Sequence, residues 1–364
     1  MPGGRLRNIW RNWNHYLVYP AFAVAVLSLI FFLPRPKTIS KEIHRHISQS
    51  FPGDNVNTPR EAAANSTLGF EKLLALSTGD SWRTRGLKAA SDLIGLDFTV
   101  PTQPQNPQEL IVAFENIGKG DGRKTPGHGS ATAWLAHIDL LKFVIGSGFE
   151  TALIVEDDVD FDVKLKDQMR LVSDNVRDFM GTSTNTTRPY GENWDVLWLG
   201  HCGSAIEDWM PPMRKYWDET RCKTELYSGW SKYFLRDKLE ENHRYVQTSW
   251  MTVCTFGYGV TRQSAPKIVK LLATGGDEAY DVSMSAFCRS GDLRCVVVNP
   301  QVMNHYEPPK DEGYLSPVHV GDGQGATADD SAFEAKVGST GNIMQSARCR
   351  ALFNTECMRP PSEI

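Results

Sequence analysis

The chain has 364 residues, of which 41% are hydrophobic and 23% charged, with a formal net charge of -4. That supply of apolar residues is enough for a substantial core in one large or two modest domains and excludes a disordered chain. Lys and Arg are not in excess, so the electrostatic footprint of a nucleic-acid binder is missing.

The first element in chain order is "YLVYPAFAVAVLSLIFFL", residues 16–33, which carries no charge and is long enough to cross a bilayer. Trp10, Trp13, Tyr16 and Tyr19 suit an interfacial aromatic belt, and Arg5, Arg7 and Arg11 stay on the short N-terminal side. The expectation is a cytosolic tail over 1–15, a single-pass anchor over 16–33, and a lumenal remainder. A cleaved signal peptide competes, because Ala21, Ala23 and Ala25 are small; they lie inside the apolar run, however, which ends in "FFLPRPK" without a small-residue cleavage pattern. A buried core helix would need a polar face and would not tolerate Pro20 well.

A lumenal location fits the glycosylation acceptors "NST" at Asn65 and "NTT" at Asn185. The seven cysteines include no C-x-x-C pair, which argues against a zinc ribbon or a thioredoxin site. In an oxidising lumen some would pair, and the odd number leaves at least one over.

Residues 34–67 are polar, with scattered Pro, Gly, Asn and Ser, and read as a stem. Over 68–310 strand and helix signals alternate. "KLLALS" is a short buried strand, "SWRTRGLKAASDLIG" an amphipathic helix with Ser81 as its cap, and "LDFTV" a second strand. A Pro- and Gly-rich loop leads to a helix over about 131–145, with Trp134, Leu135, Ile138, Leu141 and Ile145 on one face. Then come the strand "ALIV", a helix near 163–179, the strand "WDVLWLG", and an irregular Trp- and Pro-rich stretch. "WMTVCTFGYGVTRQSAPKIVKLLATG" gives a strand and a helix, and "LRCVVVNPQVMNHYEP" a last strand. This alternation predicts an α/β domain with a largely parallel sheet. Residues 311–364 show little pattern and read as a tail.

The densest chemistry is "FETALIVEDDVDFD", where strand residues run straight into five acids within seven positions. In open α/β sheets ligands collect at the carboxyl ends of strands. If the strand continues, side-chain alternation puts Glu156 and Asp158 on one side, where both would face one Mg²⁺ or Mn²⁺. A calcium loop is a rival, since Asp158, Asp160 and Asp162 have the right opening spacing. Its sixth position would then be Val163 and its twelfth Met169, so both demanding positions fail. The plainer rival is a solvated strand exit or helix start.

"WLAHIDLLKFVIGSGFETALIVEDDVDF" resembles glycosyltransferase family 25, the lipopolysaccharide-type and collagen-type galactosyltransferases, whose Ser-His-Ile helix precedes a strand ending Glu-Asp-Asp. "FGYGVTRQSAPKIVKLL", "AYDVSMS" and "VVVNPQVMNH" follow in the family's order, so the similarity covers roughly 73–305. "GSATA" stands where the family has Gly-Glu-Ile-Gly-Cys, and Ala136 replaces its Ser.

The resemblance implies a GT-A fold, a UDP-sugar donor with UDP-galactose leading, Mn²⁺ or Mg²⁺, a glycan or glycoprotein acceptor, inversion at the sugar, and a type II place in the Golgi or endoplasmic reticulum. Glu156 and Asp158 become metal or ribose-side candidates with Asp157 between them, and His305 a further ligand, since a neutral imidazole suits Mn²⁺. Asp281 is the candidate base, with Asp277 and Glu278 as replacements. Arg83 and Arg85 are candidates for the nucleotide and His137 for the donor pocket.

Other classes fare less well. No G-x-S-x-G supports a serine hydrolase, and "GKGDGR" and "GDGQGA" lack the dinucleotide spacing. A glycosidase working with two carboxylates, or a tethered binding ectodomain without chemistry, remain the alternatives.

Overall fold

The computed structural model describes residues 58–314, 316, 318 and 330–360. The expected cytosolic tail, the anchor over 16–33 and the stem up to residue 57 lie outside the described residues. Among the described residues no helix is long and apolar enough to cross a membrane.

The described chain begins with helix α1 (Pro59–Ala62), capped by Thr58. Its Glu61 carboxylate accepts from Arg170 at 2.9 Å, so the end of the expected stem is docked on the domain. β1 (Lys72–Leu76) leads to α2 (Trp82–Ile94), where Ser81 and Thr84 form a reciprocal capping box and Gly95 closes the helix at φ 67°. After β2 (Phe98–Thr99) and α3 (Gln108–Asn116), α4 (His128–Ser147) buries Trp134, Leu135, Ile138 and Leu141. Val144 completes that stripe, and Ile145 turns outward, 42% exposed. A 3.6-residue period points between the two positions, so packing decides.

β3 (Thr151–Glu156), β4 (Val159–Phe161), α5 (Leu165–Phe179) and β5 (Val196–Gly200) follow. The stretch expected to be irregular contains β6 (Arg214–Trp217), α6 (Lys232–Lys238) and β7 (His243–Thr248). β6 buries only Tyr216 among its four residues, which is why it carries no apolar signal. β8 (Gly257–Thr261), α7 (Ser264–Leu272), α8 (Tyr280–Ser290), β9 (Cys295–Asn299) and β10 (Met303–Glu307) complete the central part.

The strands form one mixed sheet in the order β2-β1-β3-β8-β5-β9-β7-β6, with β10 linking β5 to β4. Pairings are parallel at β1/β2, β1/β3 and β5/β9 but antiparallel at β3/β8, β5/β8, β7/β9 and β6/β7. The expectation of a largely parallel sheet is therefore corrected. β8 runs against both of its neighbours, a direction that hydrophobic runs do not encode. Both faces of the sheet are covered: Leu153 and Val155 pack toward α2 and α5, while Ala152 and Ile154 pack toward α4, α7 and α8. Gly200 lies opposite Gly257 in this sheet, and a Cβ on Gly200 would stand 2.8 Å from the Gly257 nitrogen. Glycine at this point lets β5, β8 and β10 converge beside the strand exits.

The described part of the expected tail is folded onto the domain. α9 (Asp330–Ala335), β11 (Ser339–Thr340) and α10 (Ala347–Phe353) follow, β11 pairs with β10, and α10 packs on α2. Disulfides join Cys202 to Cys254, Cys288 to Cys295 and Cys349 to Cys357, leaving Cys222 unpaired and buried.

Candidate active site at the end of β3

β3 stops at Glu156, and Asp157 and Asp158 form a turn into β4, so the continuous strand expected to align Glu156 with Asp158 does not occur. The turn brings the acids together by another route. β4 pairs with β10 so that Val159 faces His305, and the Tyr306 N–H donates to the Asp158 carbonyl at 2.8 Å. His305 is thereby fixed beside the acids across a sequence gap that no local pattern could bridge.

The cluster has its own counter-charge. Arg83, from the first turn of α2, donates to Asp158 Oδ2 at 2.8 Å and approaches Asp157 Oδ1 at 3.5 Å, and its other amino group donates to the Tyr314 hydroxyl at 2.7 Å. Arg85 does not join it. Its guanidinium is spent on Glu334 at 2.8 Å and on Asp330 and Asp80, holding α9 against α2.

Burial, with the neighbouring Asp158 charge, pushes the Glu156 carboxyl up to about 7, against the Thr255 hydroxyl and His305. Burial also raises Asp157, again with Asp158, while Arg83 and Ser77 oppose. For His305, burial favours the neutral ring, but Glu307, whose Oε1 lies 3.3 Å from Nε2, together with Asp158 and Glu156 outweighs it and raises the imidazole. Asp158 Oδ1 and His305 Nδ1 are buried with no hydrogen-bond partner.

His137 is buried, stacked on Tyr280 at 4.5 Å, and burial drives its pKa down to about 3, so it is neutral. Its Nδ1 lies 3.0 Å from the Tyr258 hydroxyl and its Nε2 3.3 Å from Thr255, whose hydroxyl donates to Glu156 Oε1 at 2.8 Å. A hydroxyl has one proton. With Thr255 donating to the carboxylate, His137 must donate through Nε2 and accept from Tyr258 at Nδ1. His137 thus holds Glu156 from behind, through Thr255.

Asp281, in the first turn of α8, accepts the Cys254 N–H at 2.6 Å. Cys254 has φ 68° and is anchored by its disulfide to Cys202. Burial raises the Asp281 carboxyl, opposed by that N–H, and its charge is felt at Glu156. Asp281 is thus tied to the residue next to Thr255, whose hydroxyl holds Glu156. Asp277 and Glu278 stand apart: Glu278 pairs with Lys124 at 2.7 Å, and Asp277 accepts the Glu278 N–H.

Two carboxylates and an imidazole are a suitable donor set for Mn²⁺ or Mg²⁺. Among the described residues no group of three His, Cys, Asp or Glu side chains is placed to hold a metal ion. The arrangement fits a cation held by one or two side chains, with phosphate and water completing the shell, which is how such ions bind beside nucleotides. Sequence reasoning missed Thr255, Tyr314 and Arg348; the last reaches the turn from almost two hundred positions away. Compared with known proteins, the chain matches no family model and no curated protein.

Proposed function

We propose that the chain is a metal-assisted, inverting glycosyltransferase of GT-A architecture that moves a sugar, galactose foremost, from a UDP-sugar to a glycan or glycoprotein acceptor. In this reading residues 16–33 hold it as a type II protein in the Golgi or endoplasmic reticulum membrane. The observation that carries the reading is the pair of buried, unpartnered atoms Asp158 Oδ1 and His305 Nδ1 beside Glu156 at a strand exit. An unsatisfied buried polar atom costs about 1–3 kcal/mol, and a bound cation would relieve two at once. Three disulfides support an oxidising compartment, and Asn65 and Asn185 are both exposed.

Asp158 and His305 would hold the cation beside the Glu156 carboxylate, and the cation would supply charge stabilisation to the departing diphosphate. Arg83 is placed to take phosphate oxygens when they compete for its bonds to Asp157 and Asp158. Asp281 takes the proton of the acceptor hydroxyl as that oxygen attacks the anomeric carbon. The carbon–oxygen bond to phosphate breaks, and its electron pair leaves with UDP.

Because Glu156 titrates near 7, protons compete with the cation below that pH. Calorimetric titration of Mn²⁺ into the UDP-saturated protein should show affinity falling roughly tenfold per unit below the Glu156 pKa. The sign for stability is opposite. A buried acid that titrates at about 7 against an ordinary 4.5 makes the metal-free fold lose stability as pH rises between those values. UDP binding that is equal in EDTA, or absent, would sink the proposal.

A second reading has an observation behind it. Arg83 already pairs with Asp158 and approaches Asp157, as it would in a binding ectodomain that needs no metal. Carbohydrate binding that is indifferent to EDTA and to UDP would favour it.

A further inference from the structure

Arg348 is fully buried, yet it comes from α10, in the segment that shows no sequence pattern. Its Nη2 donates to three carbonyls, those of Arg83 at 3.1 Å, Asp157 at 3.0 Å and Val159 at 3.3 Å. The first belongs to the helix turn that carries the guanidinium over the acids; the other two flank Asp158. One planar group thus ties the cation-bearing helix to the acidic turn. Its faces rest on Trp82 and Tyr306, with centroids 5.9 and 5.3 Å away, and Tyr306 is the residue whose N–H holds the Asp158 carbonyl.

The surroundings are built for this side chain. A Cβ at Gly86 would lie 2.2 Å from Arg348 Nη1, so glycine is what leaves α2 room for it. Asp160 supplies the counter-charge, accepting the Arg348 backbone N–H at 3.1 Å and the Ser346 hydroxyl at 2.5 Å. The disulfide from Cys349 to Cys357 closes the segment immediately after it.

We propose that Arg348 is a positioning residue that sets the backbone of the Glu156–Val159 turn and its distance from Arg83, making the C-terminal segment part of the donor site. The last clause rests on the transferase reading; the backbone claim does not. The three carbonyls converge on Nη2, which shares its two N–H groups among them, while Nε and Nη1 are buried without a hydrogen-bond partner. Arg is required for its planar faces, which rest on Trp82 and Tyr306 and which a Lys ammonium lacks. Burial lowers the guanidinium pKa, with Asp160 opposing, which is consistent with a charge held for geometry.

The test uses the full-length protein and two independent perturbations, Arg348→Gln, which removes the guanidinium, and Gly86→Ala, which displaces it while keeping the charge. Hydrogen exchange read on peptides covering 156–160 should rise about tenfold or more in both, with peptides of β3 and β8 unchanged. In the same preparations kcat for Mn²⁺-dependent UDP-sugar hydrolysis should fall about a hundredfold with the donor KM little altered, as expected of a misplaced site. Arg348→Lys should restore neither. Faster exchange in the turn with no hydrolysis even in the wild type supports positioning and overturns the donor-site clause. Exchange at 156–160 equal to wild type in both variants overturns the proposal.

Discussion

A chain stopped after Pro309 does not fold. That outcome is expected because the removed residues complete the core beside the site. Trp82 loses Tyr314 and Phe333, whose rings lie 5.6 and 5.9 Å away, and Tyr306 loses its cover. Each large apolar side chain returned to water costs about 1.5–3 kcal/mol. The Asp160 carboxylate loses the Ser346 hydroxyl and the Arg348 N–H together, and a hydrogen bond to a charged group contributes about 1.5–3 kcal/mol. Against a total stability of about 5–15 kcal/mol the sum is not survivable. Circular dichroism should show no cooperative melt, and a melt like that of the intact chain would contradict the account of 330–360 as part of the domain.

The second large effect is catalytic. Asp281→Asn should lower the transfer rate by about 10²–10⁴, the range for loss of a general base. The substitution is chosen because asparagine keeps a carbonyl oxygen for the Cys254 N–H, so the strained backbone there retains its anchor. Stability and Mn²⁺-dependent UDP binding should therefore stay at wild-type values while the maximal rate collapses. Glu278→Gln should change the rate by less than about twofold, since its exposed side chain is paired with Lys124 away from the reacting groups. A rate for Asp281→Asn within that same range would remove Asp281 from the mechanism.

How much of this was legible follows physical lines. α2 could be read because Ser81, an apolar stripe and Gly95 are local signals that tertiary structure did not override. β3 could be read because a strand buried on both faces is a continuous apolar run. The direction of β8 could not, because antiparallel and parallel neighbours have the same composition. Asp158 and Asp281 were visible as acids, but what each touches depends on contacts from β10, α2 and the Cys254 loop. The segment beyond Pro309 was invisible for a different reason. Among the described residues the elements of 330–353 are six, two and seven residues long, too short for periodicity, and their order comes from Asp160, Arg348 and a disulfide. His137 illustrates the limit most sharply: the residue was singled out, and only the Tyr258 and Thr255 bonds show that it works behind Glu156.

The central claim is that the acids at the end of β3 serve a cation and a diphosphate. Its most direct test is UDP release from UDP-galactose and other UDP-sugars by the full-length protein, with Mn²⁺ or with EDTA, beside Asp158→Asn. The account predicts slow release from at least one donor, abolished by EDTA and reduced by about 10³ or more in the variant, as for loss of a group that stabilises the leaving charge. Release that persists in EDTA, or no binding or cleavage of any UDP-sugar with either Mn²⁺ or Mg²⁺, would contradict it.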